Sequence, residues 1–277
     1  MKIIEAAKRS MLWPLALWLV VPALAQPKKA PAAPRFVVDG ASGYLLGASQ
    51  NGRWLNAKTA RKLVRGGEKY TFYDGTRVVG NAVGGKAATD GAPCEDTYFV
   101  KLTGAARVLA VSGPPLKSPR PVASLANSSA IYRAEVAKWL TAHGVKNPQV
   151  GIVKIWRADL DGDGTAEVLI SAMRQQGKSA PFESISPDAA AGDYSLLLLR
   201  RVGKKGVQTV PIVSEIYPKT KKFNAPSVHE LVSVLDINGD GKMEIVMRGR
   251  YYEGDSMGVY EYRGGAVKNV LESGCGA

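Results

Sequence analysis

The sequence predicts an α+β, β-rich fold: a small N-terminal α+β unit, then a helix and two β-repeats. Three observations carry that prediction. Runs of strand length, alternating or continuously aliphatic, recur through most of the chain. A single well-formed helical pattern lies at 130–142. The strand–acidic loop–strand pattern of 150–173 then returns at 230–248.

In chain order, Lys2, Lys8 and Arg9 precede an almost wholly apolar stretch at 11–24. Ala23-Leu24-Ala25 follows with the small-x-small pattern that a signal peptidase cleaves. Residues 1–25 are therefore expected to be a signal peptide, and the protein to be exported, periplasmic or secreted. The stretch is shorter than the about 20 residues of a membrane span, and Pro14 and Pro22 interrupt it, so no transmembrane span is expected in the mature chain. Residues 26–35 (QPKKAPAAPR) have nothing to bury and read as a flexible tether.

Residues 36–112 read as a small α+β unit. Strands are expected at 44–46, 69–73, 98–102 and 107–111, the second closed by an Asp74-Gly75 turn. Asn56 is placed to cap a helix over 57–65 that Gly66-Gly67 ends. Residues 113–128 carry four prolines and little apolar periodicity, and read as a linker. Ser129 then precedes the 130–142 helix, with Ile131, Val136, Trp139 and Leu140 near one face and Gly144 after its end.

Residues 129–277 hold this helix and the two repeats. The first has strands at 150–156, 168–173 and 194–201; the second at 230–235, 245–248 and 257–263. The loops begin at Asp159 and Asp236, but the later Gly192-Asp193 and Gly254-Asp255 steps lie closer together. An insertion within 174–191 of the first repeat accounts for the difference.

Charge and cysteines bound the surroundings. The chain has 37 basic and 24 acidic residues, a net charge of +13, which favours an anionic surface or polymer as partner. Lys204-Lys205 and the run at 219–222 lack the interleaved aromatics of a single-strand nucleic-acid platform and read first as solvated loops. The two cysteines, Cys94 and Cys275, form an even pair that an oxidising compartment favours bridging.

The two loops carry the clearest chemistry. The first runs Asp159-Leu160-Asp161-Gly162-Asp163-Gly164-Thr165-Ala166-Glu167, the second Asp236-Ile237-Asn238-Gly239-Asp240-Gly241-Lys242-Met243-Glu244. Both place side-chain oxygens at positions 1, 3, 5 and 9 and glycines at 4 and 6. Alternate side chains on a tightly curled backbone converge on a point, and the glycines permit the positive φ values of the curl. Hard oxygen ligands suit calcium better than magnesium, and the backbone carbonyl of Thr165 or Lys242 would add one more to each set, with water filling the remainder. An EF-hand is excluded: its twelfth-position carboxylate would fall on Ile170 or Met247, and the flanks are strand-forming.

In these respects the segments 150–173 and 230–248 resemble the calcium loops of FG-GAP repeats, as in integrin-α-type β-propellers. The resemblance implies Ca2+ at two sites: Asp159, Asp161, Asp163 and Glu167, and Asp236, Asn238, Asp240 and Glu244. The Phe-Gly and Gly-Ala-Pro signatures of that family are absent, and two loops do not make a ring, so a closed propeller is not expected.

No catalytic constellation stands out. His143 and His229 have no zinc or nucleophile partners in the sequence. Ser42 lacks the spacing of a nucleophile elbow, and Gly66-Gly67 and Gly84-Gly85 lack a phosphate-loop context. Glu183, Asp188 and Asp193, near the insertion, are the carboxylates that a glycosidase would need to pair. The expectation is an exported, calcium-stabilised binding or structural module, with 174–192 and 217–227 as contact surfaces. Its alternatives are an envelope-polymer hydrolase and an anion or nucleic-acid binder.

Overall fold

The computed structural model describes residues 32–89, 91–106, 108–179, 184–203 and 206–276. The expected signal peptide, tether residues 26–31, Lys204, Lys205 and Glu183 lie outside them. Among the described residues are sixteen strands and two helices, in three sheets. The chain is β-rich. It is already held at Ala32, whose N–H donates to Asn51 Oδ1 and whose carbonyl accepts from Gln50 Nε2.

The first sheet uses β1 (Arg35–Asp39), β2 (Leu45–Gln50), β3 (Arg53–Asn56), β4 (Lys69–Asp74), β5 (Arg77–Thr89), β6 (Tyr98–Leu102) and β7 (Leu109–Ser112). Their order is β3-β2-β1-β7-β4-β5-β6. The sheet curls, so that Phe99 of β6 bridges to Tyr44 just before β2, yet it forms no closed barrel. The helix expected over 57–65 is shorter: α1 spans Ala57–Ala60, capped by Asn56, whose side chain accepts Thr59 N–H. Past Ala60 the Glu68 carboxylate accepts the N–H groups of Arg65 and Gly66 at 2.7 and 2.9 Å, and these bonds hold the chain in turns.

The segment 113–128 is packed onto the rest, because Gly113 N–H donates to Lys69 O and Leu116 N–H to Tyr73 Oη. It contains β8 (Ala123–Ser124), which joins β9 (Ile152–Ala158), β10 (Glu167–Arg174), β11 (Asp193–Gly203) and β12 (Gly206–Tyr217) in the order β12-β11-β10-β9-β8. The third sheet is β13 (Val228–Leu235), β14 (Glu244–Tyr251), β15 (Gly254–Arg263) and β16 (Ala266–Gly276), in chain order. β9–β12 and β13–β16 are therefore both antiparallel meanders of four strands.

Period-two alternation explains how the layers stack. In β11, Leu196 and Leu198 face the helix α2 (Ala130–Ala142) while Leu197 and Leu199 face the third sheet. In β14, Ile245 and Met247 meet the second sheet and Val246 meets the first. The third sheet is thus buried on both faces, which its nearly continuous aliphatic runs require. One core cluster joins Val37, Tyr73 and Val111 to Val232, Val246 and Leu271, so 36–112 and the last repeat share a core. Residues 32–277 form one compact unit.

Two covalent or ionic ties cross the layers. Cys94 and Cys275 are bridged, with Cα atoms 5.7 Å apart. Arg248 of β14 pairs with Asp39 of β1, both almost wholly buried. No helix among the described residues is long and apolar enough to cross a membrane.

Candidate metal centre

Both acidic loops close β-hairpins in the same register. Ala158 pairs with Glu167 across the first, and Leu235 pairs with Glu244 across the second. The residue before each loop thus sits opposite the glutamate at its ninth position. The aliphatic residue at position 2, Leu160 or Ile237, is buried in the core and anchors the loop.

The same hydrogen bonds shape both. Asp159 Oδ1 accepts Gly162 N–H at 2.7 Å and its Oδ2 accepts Gly164 N–H at 3.1 Å; Asp236 does the same for Gly239 and Gly241 at 2.7 and 2.9 Å. Glu167 Oε2 accepts Leu160 N–H at 2.9 Å, and Glu244 Oε2 accepts Ile237 N–H at 2.8 Å. At position 7, Thr165 and Lys242 donate their N–H groups to Asp163 and Asp240. The four loop glycines have φ between 79° and 86°, a region a Cβ disfavours. The loops also touch: Met243 N–H of the second donates to Leu160 O of the first, at 2.8 Å.

Loop one brings Asp159, Asp161 and Glu167 together, with one oxygen from each lying within 4.8 Å of the others. Asp163 is not in that group; it is exposed, its Oδ1 accepting Thr165 N–H. Asp161 Oδ1 is buried and has no hydrogen-bond partner among the described residues. An orphaned carboxylate oxygen beside two more carboxylates is costly unless a cation satisfies it. Burial raises the Glu167 carboxyl from 4.5 to about 7, and the charges of Asp161 and Asp163 push the same way. An all-oxygen donor set with one oxygen unsatisfied fits a hard cation.

Arg120, from the 113–128 segment, lies over this loop. Its Nε donates to Asp159 O at 2.5 Å and its Nη2 to Leu160 O at 3.1 Å, so it mainly engages carbonyls. Its nearest approach to the Asp159 carboxylate is 3.7 Å. Residues 113–128 read as a linker in sequence because nothing local ties Arg120 to a loop about 40 residues on.

Loop two differs in its side chains. Asn238 Nδ2 lies 3.4 Å from both Asp240 Oδ2 and Glu261 Oε1. Asp240 Oδ2 also accepts from Arg263 Nη2. Burial raises the Glu244 carboxyl from 4.5 to about 8, with Asp240, Asp236 and Glu261 adding to the push. Burial also acts upward on Asp240, but bonds from Lys242 N–H and Arg263 outweigh it and hold its carboxyl low.

Elsewhere, the bridged cysteines line an open cleft of about 610 Å³ with Glu95, Asp96, Asp255, Glu272, His229, Arg250 and Tyr251. Ser195 Oγ accepts His229 N–H at 2.9 Å and sits 3.1 Å from His229 Nδ1. Burial lowers the His229 pKa, with Glu215 opposing. The insertion is organised by Asp193, whose Oδ2 accepts Gln176 and Ala190 N–H groups, while Asp188 pairs with Lys222. His143 stacks on Trp139 at the end of α2.

No family model matches the chain, and no curated protein or solved structure matches it either.

Proposed function

We propose that this chain is an exported calcium-binding protein, a non-catalytic binding or structural module of the cell envelope or exterior whose fold calcium stabilises. The observation that carries the reading is loop one: three converging carboxylates, one with a buried oxygen that nothing satisfies. The matching backbone of the second loop supports treating the meanders as two versions of one calcium-loop unit, akin to FG-GAP repeats. Export is supported by the bridged cysteines, which an oxidising compartment sustains, and by the leader-like pattern of residues 1–25. The 174–192 and 217–227 loops lie beside each other through the Ala189–Lys221 bridge and the Asp188–Lys222 pair, and offer a joint contact surface for an anionic polymer.

The test is thermal unfolding in EDTA, then with calcium or magnesium restored. A calcium-specific rise that Asp161→Ala abolishes supports the reading. An unchanged melt on adding calcium overturns it.

The cleft favours a second reading, a hydrolase acting on an envelope polymer. Four carboxylates line it, two from the 91–97 loop and two from β15 and β16. Paired carboxylates are the means by which glycosidic bonds are cut. Release of reducing ends from purified envelope polysaccharide, lost in Asp255→Asn and Glu272→Gln, would establish it.

A further inference from the structure

The two loops share a backbone, yet among the described residues only the first holds a buried carboxylate oxygen without a hydrogen-bond partner. In the second, the position-5 carboxylate already has a cation. Arg263, at the end of β15, places Nη2 on Asp240 Oδ2. Glu261 aims that guanidinium: its Oε2 accepts from Arg263 Nε at 3.0 Å and its Oε1 from Nη2 at 2.9 Å. Glu261 is in turn held from the first sheet, because Trp54 Nε1 donates to its Oε1 at 2.6 Å. The hydrogen bonds raise the Arg263 pKa further, so the group is always charged.

The first meander cannot repeat this arrangement. Val168 and Ile245, which follow the ninth-position glutamates, pair with Arg200 and Tyr260 respectively. Counting on from those partners puts Gly203 where the third sheet has Arg263. A glycine brings no charge to the first loop. Arg120, which lies over that loop, is turned toward the carbonyls of Asp159 and Leu160, and Asp161 Oδ1 stays without a hydrogen-bond partner among the described residues. Position 3 adds to the contrast: Asp161 in loop one is Asn238 in loop two, whose amide lies beside Asp240 and Glu261.

We infer that Arg263 is the built-in counter-cation of the second loop, so that the chain takes calcium unequally: tightly at loop one, and at loop two only by displacing a guanidinium from Asp240. This rests on the calcium reading proposed above. It also assigns Glu261 and Trp54 the role of positioning Arg263, though neither belongs to the loop itself.

Isothermal calorimetry of the full chain, stripped with EDTA, dialysed and titrated with calcium chloride, reads the two sites separately. The parent is expected to show two steps, the second weaker by about tenfold, a difference one charged hydrogen bond suffices to make. Asp161→Ala removes the tighter step. Arg263→Gln strengthens the weaker step by about tenfold and leaves the tighter one unchanged. Arg263→Ala, at the same half-exposed strand end, serves as the second variant and should behave alike. Two equal steps in the parent, or a second step indifferent to both Arg263 variants, overturn this inference and leave the calcium reading standing. No calcium heat in the parent overturns both.

Discussion

Replacing Glu167 with glutamine separates the loop's metal-free and metal-bound behaviour by sign. Glu167 is only 3% exposed, and burial, with Asp161 and Asp163 behind it, raises its carboxyl from 4.5 to about 7. In the metal-free protein the folded carboxyl therefore keeps a proton that the unfolded chain has released. The stability this group contributes is complete below about pH 4.5 and is lost as pH rises through about 7. At about 1.36 kcal/mol per pH unit the loss is about 3 kcal/mol by pH 8. Glutamine does not titrate and can still accept the Leu160 N–H. In EDTA, then, Glu167→Gln should match the parent near pH 4.5 and exceed it by about 3 kcal/mol at pH 8, a rise of roughly 6–12 °C in Tm. Taking the difference between variant and parent cancels the other titrating groups, His229 included. With calcium about 1,000-fold above Kd, which adds about 4.1 kcal/mol, the order should reverse by about 1 kcal/mol at pH 8, since the ionised carboxylate is the ligand. Differential scanning calorimetry at the two pH values, with EDTA and with calcium, measures all four states. A variant less stable than the parent in EDTA at pH 8, or no reversal on adding calcium, would refute the reasoning.

Three further expectations follow from the fold. The Cys94→Ser/Cys275→Ser variant opens a loop of 181 residues and should lose up to about 5 kcal/mol in urea unfolding; reductant should lower the midpoint of the parent and leave the variant unchanged. Arg248→Met strands the buried Asp39 carboxylate and should cost about 3–5 kcal/mol by calorimetry. Adding Asp39→Asn removes the stranded charge and should return part of that loss. Asp193→Ala removes the buried acceptor of the part-buried Gln176 N–H and Ala190 N–H, at about 1–3 kcal/mol, and limited proteolysis should then quicken within 175–190.

The acidic loops were legible because their chemistry is local: nine consecutive residues carry both the donors and the turn glycines. The same holds for α2, whose limits the helical pattern predicts, and for strands such as β10 and β11, where unbroken aliphatic runs mark burial on both faces. What escaped is non-local. β12 and β16 have mixed, partly exposed patterns and become strands by pairing with β11 and β15. α1 ends early where the backbone tightens, with Lys62 N–H on Thr59 O and Leu63 N–H on Ala60 O, and Glu68 then folds back onto Arg65 and Gly66. Arg120 and Arg263 are ordinary surface arginines until the fold carries one over loop one and the other onto Asp240. A signal for Arg263 was present in the Glu261-Tyr262-Arg263 alternation, which puts an opposite-charge pair on one face of β15. Nothing in sequence spacing says that Trp54 reaches the same carboxylate from a different sheet.

The bridge between Cys94 and Cys275 turns most of the chain into a covalent ring. A single protease cut anywhere between those residues, the 174–191 insertion included, would linearise the ring without releasing a fragment. The nicked protein would keep every sheet tethered to its neighbours and could close again around the break. The damage would become visible only when a reductant let the two pieces separate.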